Sequence, residues 1–104
     1  MSLRVAAAAF ALLAGGKSIS TARAADKSPA CVEAWGESRY RVGYDHIVHV
    51  ANRCEKAVLC RVSTNVNPDP VEVTVPSREE REVLTFRGSP AREFAPKVDC
   101  RLLM

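Results

Sequence analysis

His46 and His49 are the two histidines of this 104-residue chain, and imidazole is a common ligand of zinc and copper. Joined by Asp45, Tyr44 or a cysteine thiolate, they could form a metal site. Their spacing works against a shared ion. Residues three apart on a strand point to opposite faces, so both reach one ion only across a bulge or bend. The plain expectation is no metal, with one half-buried and one exposed strand histidine. A small exported copper or zinc protein using His46 and His49 stands as the alternative.

Cys31, Cys54, Cys60 and Cys100 are the next candidates. Their spacing, C-x22-C-x5-C-x39-C, lacks the close C-x2-C pairs of structural zinc sites. An even cysteine count in an exported chain points instead to two disulfides and no spare thiol. Nucleophilic catalysis finds no GxSxG and no HExxH. Asp45 and His46 are sequence neighbours, which face opposite ways on a strand. Glu79, Glu80 and Glu82 could supply paired carboxylates for glycoside chemistry. Interleaved with Arg78 and Arg81, they read better as a charged strand edge that discourages further strand addition. No catalytic residue and no cofactor is expected.

Trp35, Tyr40 and Tyr44 cluster in CVEAWGESRYRVGYDH and are the possible ligand-contact residues. Exposed aromatics there could stack on sugar rings or anchor a protein partner. Alternatively, Trp35 packs over a disulfide and closes one end of the core.

These residues must be positioned by a small domain. Residues 1–24 have the three parts of a secretory signal: the basic start Met1–Arg4, the apolar run VAAAAFALLAGG, and small residues at Ala22 and Ala24 for cleavage after Ala24, with Ala25 as second choice. The apolar run is too short for a permanent span, so no membrane anchor is expected after cleavage. Arg4, Lys17 and Arg23 leave with the signal, so twelve basic residues face twelve acidic ones. A neutral chain lacks the basic footprint of nucleic-acid binding.

About 80 residues make one domain whose core is marginal without cross-links. Residues 25–37 read as a flexible leader and N-terminal segment, and 38–104 as a single β domain. Period-two alternation runs through His46–Ala51, Val58–Val62, Val71–Val75 and Glu82–Phe86, and a closing strand carries Phe94, Pro96, Val98, Cys100 and Leu102 on one face, with Pro96 marking an edge or bulge. Asn52–Lys56 reads as a hairpin loop setting Val50 opposite Cys60 and Val48 opposite Val62. Residues 77–84 also fit a short helix, because Ser77 and Glu80 have capping-box spacing; strand is preferred.

The expected fold is all-β: a small disulfide-stapled antiparallel β-sandwich (immunoglobulin-like or open barrel) of five to six short strands. It is similar in outline to immunoglobulin-like sandwiches, although Trp35 precedes both core cysteines and the order of true immunoglobulin domains is missing. Cys60 and Cys100 sit at alternate apolar positions, so a Cys60–Cys100 bridge could tie two sheets, with Cys31–Cys54 tying the N-terminal stretch to the hairpin tip. The rival pairing is Cys54–Cys60 with Cys31–Cys100. Loop entropy, about 3.9 plus 3.5 kcal/mol against about 2.4 plus 4.4, does not separate them. The function expected is a periplasmic or extracellular non-catalytic binding module whose partner is a protein or glycan.

Overall fold

The computed structural model describes the backbone of residues 17–22 and all of residues 28–104; the remainder of the expected signal segment lies outside the described residues. Regular structure there is entirely β: β1 (Lys17–Ala22), β2 (Val32–Tyr40), β3 (Tyr44–Asn52), β4 (Val58–Thr64), β5 (Val71–Val75), β6 (Glu80–Ser89) and β7 (Pro96–Leu102). They form two antiparallel sheets, β1-β2-β3-β6 and β5-β4-β7. Valine alternation explains the pairing surface. Val58, Cys60 and Val62 of β4 point inward with Val75 of β5 and Val98 and Cys100 of β7. Val32 and Ala34 of β2, Val48 and Val50 of β3 and Val83 of β6 meet them from the other sheet. Each valine removed from water this way contributes about 1.5–3 kcal/mol.

The expected β3–β4 hairpin does not form. Val48 lies between Gly36 and Val83, and Val50 between Ala34 and Arg81, whereas Cys60 lies between Val73 and Cys100. β3 and β4 belong to different sheets, and their valines meet in the shared core. Asn52 accounts for the crossing. Its Nδ2 donates to the carbonyls of Lys56 (3.0 Å), Val75 (2.9 Å) and Pro76 (3.1 Å), and its Oδ1 accepts from the Cys54 N–H at 2.8 Å. The side chain thus satisfies a buried connection that leaves one sheet and enters the other.

The β domain also begins earlier than residue 38, because Val32–Gly36 belong to β2, the neighbour of the central strand β3. The inward residues of β2 are small for a reason. A Cβ built on Gly36 would lie 2.8 Å from Pro96 Cγ and 2.9 Å from Phe94 Cζ. Phe94, buried outside any strand, fills the space that Gly36 leaves. Gly36→Ala is therefore expected to destabilise the domain by about 1–3 kcal/mol through overpacking, read as a lower urea midpoint at unchanged m-value.

Two disulfides complete the scaffold. Cys31–Cys54 joins the residue before β2 to the crossing loop, and Cys60–Cys100 joins directly opposed residues of β4 and β7. The second bridge lies within one sheet, not between two as expected, because β7 pairs with β4 itself. Residues 76–79 form a turn closed by Glu79 N–H to Pro76 O (3.2 Å), with Arg78 at φ 66°. Ser77 donates its hydroxyl to Cys54 O (2.7 Å) and caps no helix, so the segment continues as β6.

Candidate functional site

Parity along β2, β3 and β6 decides which functional side chains meet. Trp35, His49 and Glu82 occupy one row across the three strands, facing away from the core, and Glu37, Ile47 and Leu84 occupy the next. The Trp35 indole stacks on the His49 imidazole with centroids 5.1 Å apart and planes 9° from parallel. His49 Nε2 donates to Glu37 Oε1 at 2.7 Å. Arg39 forks onto the same carboxylate through Nη2 (2.9 Å) and Nε (3.2 Å), and its Nη2 lies 3.6 Å from Glu82 Oε2. The hydrogen bond to Glu37, with the charges of Glu37 and Glu82, holds the Arg39 guanidinium above its ordinary pKa.

Ligand atoms of Glu37, His49 and Glu82 lie within 4.8 Å of one another, close enough for a cation on distance alone. The Arg39 guanidinium already bonds one of the two carboxylates and lies 3.6 Å from the other, so it offsets one of their two negative charges. Its chemistry as built is that of a charge-paired aromatic surface. Glu82 was legible as a carboxylate in the sequence; its meeting with Glu37 and Arg39 depends on the strand order β2-β3-β6, which alternation does not give.

His46 and His49 do not share a site. His46 faces inward, wholly buried, with its ring stacked on Phe94 at 4.2 Å. Its Nε2 donates to Ala91 O at 2.7 Å, while Nδ1 has no hydrogen-bond partner among the described residues. His49 is 9% exposed, so neither histidine is the exposed strand residue expected. Phe94 and His46, rather than Trp35 over a disulfide, close this end of the core. The Ser38 hydroxyl, which donates to Arg92 O, helps hold the 90–95 segment in place.

Tyr40 and Tyr44 come together where Trp35 does not. They flank the β2–β3 turn and touch edge to face, centroids 5.0 Å apart. Gly43 makes the turn possible: its φ is +105°, and a Cβ there would lie 2.9–3.0 Å from the Gly88 backbone. Asp45 Oδ1 accepts from the Gly88 N–H at 2.9 Å and fixes β6 beside the turn. Between them lies an open cleft of about 180 Å³ lined by Arg41, Val42, Asp45, Arg87 and Gly88. Val42 is 92% exposed and Tyr40 60%. Sequence reasoning found the two tyrosines but missed Arg41, Val42 and Arg87, which look like ordinary turn residues until the backbone places them side by side.

Comparison with models of protein families, with curated proteins and with solved structures finds no match to this chain.

Proposed function

We propose that this chain is an exported, non-catalytic interaction module that binds a protein partner through the β2–β3 hairpin tip. Two disulfides in a small domain fit an oxidising extracellular or periplasmic compartment. The observation that carries the reading is Val42, a bare aliphatic side chain 92% exposed beside Tyr40. Single exposed apolar residues are ordinary, but this one sits with two tyrosines and two arginines at the end of a hairpin. Tyrosine and arginine are enriched among residues that dominate binding energy, and the pinned Gly43–Gly88 contact limits the ordering cost of association.

The test compares oxidised wild-type protein with Val42→Asp, both immobilised and exposed to native medium or envelope extract. Val42 touches little, so the variant should melt as the wild type does. It should lose about thirtyfold in affinity for the captured protein, the effect of a hot spot of about 2 kcal/mol. Equal capture by both proteins would remove the hairpin tip as the contact surface.

A further inference from the structure

The β2 edge that faces away from β3 has a backbone pattern that can be read residue by residue. Arg53 N–H donates to Cys31 O, and Arg41 N–H to Gly43 O, so odd-numbered residues of β2 exchange hydrogen bonds toward β3. Ala34, Gly36 and Ser38 therefore direct their N–H and C=O groups to the opposite side. In the full chain β1 occupies that side, with Ala22 opposite Ala34, Ser20 opposite Gly36 and Ser18 opposite Ser38. The edge thus accepts an antiparallel strand.

We infer that, once residues 1–24 are removed, this edge takes a second copy of the chain across a two-fold axis through Gly36. The inference rests on the export reading of the N-terminal segment and is independent of the hairpin tip. β2 reads VEAWGESRY, and an antiparallel pairing centred on Gly36 overlaps all nine residues of the strand with their copies. Ala34 then faces Ser38 of the second copy, Gly36 its equivalent, and Ser38 Ala34. These are the residues whose backbone groups point outward, so the register forms a hydrogen-bonded ladder.

The same register places Glu33 opposite Arg39 of the second copy, twice by symmetry, on the face that carries Trp35. Oppositely charged residues directly across a ladder attract, and like charges repel. The two Trp35 side chains become diagonal neighbours beside the axis, within reach of aromatic contact. Any such pairing is isologous and closes on itself, giving a dimer and not a fibre. The ladder ends at Tyr40, so the Arg41–Gly43 turns project beyond it at opposite ends.

The experiment expresses the full chain in an exporting host, establishes the N-terminus of the purified oxidised product by mass, and measures its association by sedimentation. A product beginning at Ala25 should be a dimer at about 10 µM, a concentration ordinary for a micromolar contact. Glu33→Arg, which leaves the Arg39–Glu37 network intact, should weaken association about tenfold. Amide exchange of Gly36 and Ser38 should slow as concentration rises, a readout that requires no variant. A monomer at 100 times that concentration overturns the inference. So does a Glu33→Arg variant that associates as the wild type does, or a purified product that still carries residues 17–22. Hairpin-tip binding by Val42 survives each of these failures, so the two readings fall separately.

Discussion

Asn52→Leu should cost about 4 kcal/mol of stability, enough to leave a domain of this size largely unfolded at physiological temperature. Leucine keeps asparagine's heavy-atom count and branching but is bulkier, so lost polar partners dominate and tighter packing adds to the loss. Asn52 is almost wholly buried, and its amide serves four backbone groups, three carbonyls and the Cys54 N–H. A buried polar group left without a partner costs about 1–3 kcal/mol, less where water can reach it. The Asn52–Val75 and Asn52–Cys54 bonds are buried, while those to Lys56 and Pro76 are closer to solvent. Two full penalties and two reduced ones give the stated magnitude. Asn52→Asp should be no better: it keeps the acceptor for Cys54 but turns an oxygen toward three carbonyl oxygens. Urea unfolding of oxidised protein reads both variants. A loss under about 1 kcal/mol would show that the crossing between the sheets is held by something other than this side chain.

Cys60→Ala with Cys100→Ala carries the second large expectation, also about 4 kcal/mol. The bridge closes a ring with sequence separation 40, against 23 for Cys31–Cys54, so chain entropy makes its removal the costlier of the two, by about half a kcal/mol. Both sulfurs are core components with 4% exposure or less, so truncation also withdraws contacts from Val58, Val62 and Val98 around them. The strand pairing of β4 with β7 remains possible without the bond. The variant should therefore lose melting temperature more than β-sheet signal at low temperature. Melting within a few degrees of the wild type would mean that the valine core alone sustains the sandwich.

Alternation made β4 and β5 legible, since Val58, Cys60 and Val62 share one face, and Val71, Val73 and Val75 alternate with Glu72 and Thr74. β2 escaped the same test. Its inward residues after Val32 are Ala34, Gly36 and Ser38, small because Phe94 and Pro96 need the space, and small residues carry no strong hydrophobic period. Face can be read from sequence, but neighbour cannot. Val50 and Cys60 both point inward, and nothing in their spacing says whether they are paired in one sheet or meet between two. Asn52 was the deciding residue, and as a lone asparagine before a loop it resembled ordinary turn chemistry.

The site follows the same division. Tyr40 and Tyr44 were singled out with Trp35 as aromatics close together in one stretch, and the turn at Gly43 is what brings the two tyrosines into contact. The network of Glu37, Arg39, His49 and Glu82 was not, because it spans three strands whose order had to be known first. His46 and His49 were separated correctly by strand parity, but the estimate of their exposure failed because β3 is covered on both faces.

The two sulfur bridges join first cysteine to second and third to fourth, so their rings follow one another along the chain and are neither nested nor crossed. Were the chain to enter an oxidising compartment N-terminus first, the leading thiol of each pair, Cys31 and then Cys60, would meet its native mate as the next cysteine to arrive. Oxidation in order of arrival would then form the native bonds with no isomerase to reshuffle errors.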